Sequence, residues 1–243
     1  MVKHLLACVA MPDKLHMGTA LILAASQDHS QIVEILLQNN ADPNARTKFN
    51  ISSLHRAARY GYMQTAIFLL EYKADVNAFQ PSCGTPLFDA SKNGHLGICE
   101  LLIRHKADPK MKHNPICAAA LEGHVQVCDL LLKSGGNPNK TFAGWPPLCA
   151  AAFMNHLDMC DLLLKYGADP NATVLLKASV APSVTEPSAI PDTAVHQSAS
   201  EKLRNITAVQ QGRFTSLQLA QQRECKDVVA LLVSRTTHSC FFR

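Results

Sequence analysis

Apolar residues recur along the chain in short stripes that have the spacing of a helix with one buried face. The segment 32–37 reads Ile-Val-Glu-Ile-Leu-Leu, and the segment 127–132 reads Val-Cys-Asp-Leu-Leu-Leu. In both segments the apolar positions fall on one side of a helix and the acidic residue falls on the other. The pattern predicts a mainly helical chain made of short amphipathic helices.

A loop motif separates these stripes. Its form is Ala-Asp-Pro-Asn or a close variant, and its copies begin at residues 41, 74, 107, 136 and 168. The first three copies are evenly spaced, whereas the fourth comes early. Self-similarity at a fixed period indicates a protein built from stacked structural repeats.

Two further blocks recur in register with the loop. One is a Thr-Pro-Leu start, as at 85–87, which is followed by small residues such as Ala57-Ala58 or Ala151-Ala152 in other copies. The other is a Gly-His step, as at Gly94-His95 and Gly123-His124. Where the glycine is replaced, by Asp28 or Asn155, the substitute is a residue type that also tolerates a left-handed turn. Each step therefore predicts a tight turn between two helices.

Together these blocks resemble the ankyrin repeat, whose signature is T-P-L-H-x-A-A. The resemblance implies an all-α ankyrin-repeat solenoid of helix-turn-helix repeats with β-hairpin fingers, interrupted by a disordered insert. The expected order is a partial N-terminal repeat or cap at 1–14, five repeats at 15–172, a flexible Ser/Thr/Pro/Ala-rich insert at 173–212, a C-terminal capping repeat at 213–234 and a tail at 235–243. Two alternatives stay open: the N-terminal half-repeat is either a native cap or the start of a shortened form, and the C-terminal segment is either a repeat or an independent helix pair.

Composition limits the class of protein further. The formal net charge is +4, from 23 basic and 19 acidic residues, so no strong attraction to nucleic acid is expected. The nine cysteines include no CxxC pair, which argues against a disulfide framework and a zinc site. The apolar run near the N-terminus is shorter than a signal peptide needs, and no segment is long enough to span a bilayer. We therefore expect a cytoplasmic or nuclear monomer with no membrane insertion and no cofactor.

Candidate nucleophiles and bases are better explained by the repeat than by catalysis. Three histidines share one repeat position and three cysteines share another: His95, His124, His156, Cys99, Cys128 and Cys160. A cysteine in a buried stripe behaves as a small hydrophobe, and a histidine at a turn serves as a hydrogen-bonding group. No phosphate-binding glycine loop and no metal-ligand spacing occur, so we expect a non-enzymatic protein.

The resemblance implies that partners contact the finger tips and the inward-facing ends of the first helices. The candidate partner-binding residues at those positions are Phe49, Arg59, Tyr60, Lys92, Trp145, Phe153 and Met154. Aromatic and methionine side chains are enriched at the centres of protein interfaces. For Trp145, Phe153 and Met154 two interpretations stay open: they form an exposed anchor pocket, or the insert or the last repeat covers them.

Two smaller features remain. Arg56 and Arg59 precede Asp89 and Lys92 by one repeat. An acidic peptide could therefore bind near Arg56, Arg59 and Lys48, or Arg56 could form a cross-repeat ion pair with Asp89.

Leu69 and the segment 75–78 resemble the motif on which an asparaginyl hydroxylase acts in ankyrin repeats, with Asn77 as the modified residue. The alternative for Asn77 is a structural role bracing the loop.

The sequence thus predicts a non-enzymatic scaffold or adaptor that binds a partner protein through the concave ankyrin face. The alternative is a substrate-recognition subunit of a ubiquitin ligase or a similar assembly. That alternative needs a module for which the tail at 234–243 is too short.

Overall fold

A computed structural model describes residues 14–81, 84–111, 113–176 and 212–239. The predicted N-terminal half-repeat, most of the predicted insert and the end of the tail lie outside these described residues. The described chain forms two compact units. Unit 1 contains residues 14–119 and 124–137, and unit 2 contains residues 120–123 and the described residues from 138 onward.

Unit 1 is built from pairs of short helices joined by tight turns. In the later pairs the first helix begins at the Thr-Pro-Leu-like block, whereas in the first pair it begins at Lys14, before Thr19-Ala20-Leu21. The second helix of each pair begins after the Gly-His step or its equivalent. The helices are α1 (Lys14–Ser26), α2 (Ser30–Gln38), α3 (Ser53–Tyr60), α4 (Met63–Glu71), α5 (Pro86–Lys92), α6 (Leu96–Arg104), the first part of α7 (Pro115–Glu122) and α8 (Val125–Lys133).

Unit 2 continues the same alternation and adds a small sheet. It contains the end of α7, the helices α9 (Pro147–Phe153) and α10 (Leu157–Lys165), the strands β1 (Thr173–Leu176) and β2 (Gly212–Thr215), and the helices α11 (Ser216–Gln222) and α12 (Lys226–Ser239). The described part of the chain is thus mostly helical, with helix-turn-helix units in the order that the sequence pattern predicts.

Several first helices begin at a hydroxyl side chain that caps the helix. In α3 the Ser52 hydroxyl accepts from the His55 amide while the His55 ring accepts from the Ser52 amide, which is a capping box. The Thr85 hydroxyl accepts from the Phe88 amide at the start of α5, and Thr215 forms a capping box with Gln218 at the start of α11. These caps satisfy backbone donors that a short helix otherwise leaves without a partner.

The Gly-His step has a physical explanation that links neighbouring repeats. The His124 imidazole lies on the Gly94 turn, where an added Cβ would be 2.6 Å from the ring, and Gly94 has a φ of +75°. His95 lies on Gly61 and His156 lies on Gly123 in the same manner. Each of these glycines is therefore required both by its left-handed conformation and by the imidazole of the following repeat.

The same contact explains why two of the equivalent turns have no glycine. Asp28, with a φ of 54°, is followed one repeat later by Tyr62, and Asn155, with a φ of 60°, is followed by Cys225. At neither position does a histidine of the next repeat lie over the turn. A side chain is tolerated there because only the left-handed backbone must be satisfied, and Asp and Asn do so at modest cost.

Each unit has its own buried apolar core, supplied by the inward stripes of its helices. In unit 1 the largest fully buried side chains are Leu21, Leu54, Leu69, Leu87, Ile98, Leu102, Ile116 and Leu131. In unit 2 they are Leu148, Met159, Leu163 and Leu219. Burial of each such side chain contributes about 2 kcal/mol, so these stripes supply the main stabilising term.

Short β-bridges close the fingers between the repeats. They pair Arg46 with Ser52 and Gln80 with Gly84 in unit 1, and Phe142 with Trp145 in unit 2. In the last finger of unit 2 the bridge is extended into a full antiparallel ladder, from the pair Thr173 and Thr215 to the pair Leu176 and Gly212.

The ends of the predicted insert therefore differ from the expectation of a flexible segment at 173–212. Residues 173–176 and 212 lie in paired strands, in which Val174 is the partner of Phe214 and Leu176 is the partner of Gly212. The central residues 177–211 lie outside the described part of the chain. The segment that was expected to interrupt the repeats is thus inserted within a finger.

The helix pair that follows this finger packs on the preceding repeat of unit 2. The Ser216 hydroxyl donates to the Pro170 carbonyl oxygen at 3.2 Å. On α12, Arg235 forms an ion pair with Asp161 of α10 at 3.2 Å, and Lys165 reaches the same carboxylate at 2.6 Å. The hydrogen bond from Lys165, followed by the effect of Arg235, lowers the pKa of Asp161 despite some desolvation. These contacts join α11 and α12 to the preceding helix pair of unit 2.

Candidate functional site

The candidate binding residues of unit 1 lie on a finger and on the last turns of two first helices. Phe49 is on the finger before α3, Arg59 and Tyr60 end α3, and Lys92 ends α5. All four side chains are partly exposed. They form a surface of mixed aromatic and basic character, which we call the finger-side surface of unit 1.

The finger tip is held in place by contacts with its neighbours. The Lys48 ammonium group lies 5.0 Å from the centre of the Phe49 ring, which is a cation–π contact. The Gln80 side-chain amide of the next finger donates to the Phe49 carbonyl oxygen at 3.2 Å. Phe49 is thus on a finger that is hydrogen-bonded to the next finger.

Histidines of the following repeat fix the ends of the two first helices. His95 Nε2 donates to the Arg59 carbonyl oxygen at 3.0 Å, and His124 Nε2 donates to the Lys92 carbonyl oxygen at 3.2 Å. These bonds satisfy carbonyl groups that a helix end leaves open. The repeated histidine is therefore a structural group that orients the residues bearing the candidate side chains.

A small pocket opens between α3 and α5. It is lined by Ile51, His55, Arg56, Arg59 and Asp89. The Nε atom of Arg56 is buried and has no hydrogen-bond partner. Asp89 is also buried, with 5% of its surface exposed. The pocket thus combines two guanidinium groups and one carboxylate with an apolar wall.

His55 contributes no charge to this pocket at neutral pH. Its Nε2 donates to the Gly84 carbonyl oxygen at 3.3 Å, and its Nδ1 lies 2.8 Å from the Ser52 hydroxyl oxygen. Burial lowers the pKa of His55 from 6.5 to about 4, and the positive charges of Arg46 and Arg56 act in the same direction. The ring is therefore neutral near pH 7, and the pocket carries one net positive charge.

The three candidates of unit 2 are mostly enclosed. Trp145 is 8% exposed and Phe153 is 4% exposed, while Met154 is partly exposed. The Trp145 and Phe153 rings meet edge to face with centroids 5.6 Å apart, and the Arg223 guanidinium from the last helix pair lies 5.0 Å from the Phe153 ring centre. The last helix pair thus contacts the Phe153 ring, and Met154 is the only one of the three side chains that is not buried.

Asn77 braces two consecutive fingers. Its Nδ2 donates to the Lys106 carbonyl oxygen at 3.3 Å, and its Oδ1 accepts from the Asp108 amide at 2.9 Å. Asn44 makes the equivalent bonds one repeat earlier, to the Lys73 carbonyl oxygen and the Asp75 amide. The structural role expected for this asparagine is thus visible in the hydrogen bonds.

The described cysteines are buried, and all but Cys225 lie on helices. They are Cys99, Cys117, Cys128, Cys149, Cys160 and Cys225. Desolvation by burial raises the pKa of Cys99 to about 11 and that of Cys128 and Cys160 to about 12. A thiol that stays protonated and enclosed is a poor nucleophile, so these positions serve packing.

The described ranges can be compared with what a metal site and a membrane span require. Within them, no group of three His, Cys, Asp or Glu side chains is placed to hold a metal ion. No helix in the described part of the chain is long and apolar enough to cross a bilayer.

Sequence reasoning identified the charges near Arg59 but could not identify two features of this geometry. The buried Arg56 Nε depends on packing between α3 and α5, which periodicity does not report. The cover of Phe153 comes from Arg223, which lies beyond the inserted segment in the chain. The only signal for that cover was the return of the repeat motif at 215–220.

The family comparison agrees with this fold. The sequence matches the family described as ankyrin repeats (three copies) over residues 1–80, 42–113 and 87–174. These matches cover more than half of the chain, so the protein belongs to the ankyrin-repeat family, a class of protein–protein interaction modules that is generally non-enzymatic. No curated protein matches the chain. The last helix pair, α11 and α12, lies beyond the matched residues.

Proposed function

We propose that the protein is a non-enzymatic scaffold or adaptor that binds a partner protein through the finger-side surface of unit 1. The observation that carries this proposal is the grouping of Phe49, Arg59, Tyr60 and Lys92 as partly exposed side chains on braced elements. Such a surface loses little conformational entropy on binding, because its fingers and helix ends are already fixed.

The chemistry of this surface fits a protein partner. Tyr60 is stacked on Tyr62 with ring centroids 5.6 Å apart, so it offers a large, rigid, partly polar contact. Arg59 and Lys92 add positive charge around it. Aromatic and arginine side chains are the residue types that most often dominate binding energy at interfaces.

A matched pair of variants tests this proposal. The test variant is Phe49→Ala, Tyr60→Ala, Lys92→Ala, and the control variant is Tyr72→Ala, Arg104→Ala, at exposed positions at the ends of the second helices α4 and α6. Both are used beside the unaltered chain in proximity labelling in cells, after circular dichroism shows equal helicity. We expect partners that are retained by the control and lost by the test variant.

Equal partner lists for both variants would contradict the proposal. The composition of the captured set also bears on the alternative role as a substrate-recognition subunit. Ubiquitin-ligase components that persist in the test variant, while other partners disappear, would favour that alternative.

We further propose Asn77 as a site for asparaginyl hydroxylation. Because its side-chain amide bonds to the next finger, modification requires local opening of the repeat. Incubation with an asparaginyl hydroxylase followed by peptide mass spectrometry should show one added oxygen atom on Asn77 and less on Asn44, where Pro43 departs from the motif. Absence of the added oxygen on Asn77 after partial unfolding would exclude the site.

A further inference from the structure

The most informative unexplained feature of the described residues is the buried Arg56 Nε in the pocket between α3 and α5. Its N–H group has no hydrogen-bond partner. A buried donor that has given up water without gaining an acceptor is unfavourable. Each such group in a native structure needs an explanation, and an acceptor supplied by a bound ligand or ion is one.

We propose that this pocket receives the carboxylate of an aspartate or glutamate side chain from the partner. The proposal rests on the proposed function, because it assumes that a partner segment lies across the finger-side surface of unit 1. It adds the chemistry of the residue that enters the pocket.

The charges of the lining residues favour a monoanion. Arg56 and Arg59 supply two positive charges, Asp89 supplies one negative charge, and His55 is neutral near pH 7. The pocket therefore carries one net positive charge, which a single carboxylate neutralises. A phosphate group carries close to two negative charges and would meet the buried Asp89 carboxylate, so it is the poorer fit.

The hydrogen-bond donors and the apolar residue of the lining favour the same ligand. A guanidinium group presents its N–H donors in a plane that matches the two oxygen atoms of a carboxylate. Ile51 supplies an apolar wall for the methylene groups of the entering side chain. The carbonyl oxygen of Arg59 is already bonded to His95, so the end of α3 does not need to rearrange when the side chain binds.

The test uses the full chain and peptides of defined sequence. A display library of random dodecamers is selected on the chain, and the enriched sequences are synthesised with each Asp or Glu kept, replaced by Asn or Gln, or replaced by phosphoserine. Their Kd values are measured by fluorescence anisotropy against the unaltered chain, Arg56→Gln, Arg56→Lys and the control Arg104→Gln, whose residue is exposed on α6.

We expect enrichment of one acidic position and a tenfold or larger rise in Kd when that residue is neutralised. Arg56→Gln should cause a similar rise, Arg56→Lys a smaller one, and Arg104→Gln none. Neutralising the peptide should then have little further effect on Arg56→Gln, because both changes remove the same interaction. The phosphoserine peptide should bind more weakly than the carboxylate peptide.

Other outcomes separate this inference from the proposed function. Peptides that bind Arg56→Gln unchanged but lose binding to the Phe49, Tyr60, Lys92 variant would overturn the pocket assignment and leave the function in place. Stronger binding of the phosphoserine peptide would overturn the choice of carboxylate. Selected peptides that bind every variant equally would overturn both proposals. Urea unfolding of Arg56→Gln shows whether a loss of binding has been caused by a loss of folding.

Discussion

Single residues in this chain often show their role by comparison with the equivalent position in another repeat. The first residue of the first helix is Pro86 in α5, Pro115 in α7 and Pro147 in α9, but it is Ser53 in α3. The Ser53 hydroxyl oxygen is buried without a hydrogen-bond partner. Proline is favoured at this position because the first amide of a helix has no intrahelical acceptor.

The substitution Ser53→Pro should therefore stabilise the protein by about 1 kcal/mol. The preceding residue, Ser52, already has the extended conformation that proline requires of its neighbour, with φ −97° and ψ 166°. Urea unfolding measures the change. The matched control is Ser216→Pro, which should gain less because it removes the hydrogen bond to the Pro170 carbonyl oxygen. A loss of stability in Ser53→Pro would contradict the inference that the Ser53 hydroxyl makes no stabilising contact and that proline fits at this position.

His55 should make the stability of the protein depend on pH. Its pKa is about 4 in the folded protein and 6.5 when exposed. Because the folded pKa is the lower one, its contribution is fully present above pH 6.5 and is lost as the pH falls toward 4, by up to about 3 kcal/mol.

The variant His55→Gln isolates the contribution of His55 to the pH dependence of stability. We expect it to be less stable than the unaltered chain at pH 7 and to lose most of that disadvantage by pH 4.5, as measured by urea unfolding at a series of pH values. A difference that stays constant from pH 7 to pH 4.5 would show that His55 does not titrate as the burial of its ring implies.

At the scale of elements, the contact between repeats depends on a glycine in one turn and a histidine in the next. The two residues are coupled because the imidazole lies where a Cβ would be. The pairs Gly61 with His95, Gly94 with His124 and Gly123 with His156 each follow this rule. The turn and the second helix that follows it are thus positioned by the next repeat as well as by their own sequence.

This coupling predicts a large interaction energy in a double-mutant cycle. Gly94→Ala should cost about 2 kcal/mol, from the left-handed backbone together with the ring contact. Its cost should fall by about 1 kcal/mol when His124→Ala is also present, since the ring is then absent. Chemical unfolding of the four proteins of the cycle provides the measurement.

Asn155→Ala serves as the comparison, because Cys225 and not a histidine follows that turn one repeat later. It should cost about 1 kcal/mol, from the backbone conformation alone. Additive effects of Gly94→Ala and His124→Ala would contradict the coupling.

Periodicity predicted the elements well and the candidate site only partly. The spacing of the loop motif and the Gly-His step indicated both the helix pairs and the turns, because each repeat must present the same surfaces to its neighbours. Periodicity left open whether Trp145 and Phe153 are covered, since the contact on Phe153 comes from Arg223, in a segment remote in sequence. The Arg56 pocket depends likewise on side-chain packing between two repeats.

At the scale of the whole molecule, each unit has its own core, and in unit 2 the last helix pair protects part of it. Phe153 contacts Trp145 on one side and Arg223 on the other. The substitution Phe153→Ala should therefore lower the free energy of unfolding by about 3 kcal/mol. We expect Met154→Ala to cost much less because that side chain is only partly buried. Thermal and urea unfolding distinguish this result from an interface role, for which Phe153→Ala would leave stability unchanged.

The paired strands β1 and β2 also show how the fold accommodates a long insertion. Replacing residues 177–211 with Asn-Gly should preserve both strands and the last helix pair. It should stabilise unit 2 by roughly 2 kcal/mol, because a shorter loop costs less entropy to close. Circular dichroism and urea unfolding test this expectation. Loss of the helices α11 and α12 would show that the removed residues contribute to the fold.

The same strand pair has a practical consequence for engineering. The chain leaves the finger at Leu176 and re-enters at its direct strand partner, Gly212. A foreign domain whose own termini lie close together could be fused at these two points, because its ends would match the spacing of neighbouring strands. This finger is thus a ready attachment point for a fluorescent reporter or an affinity domain.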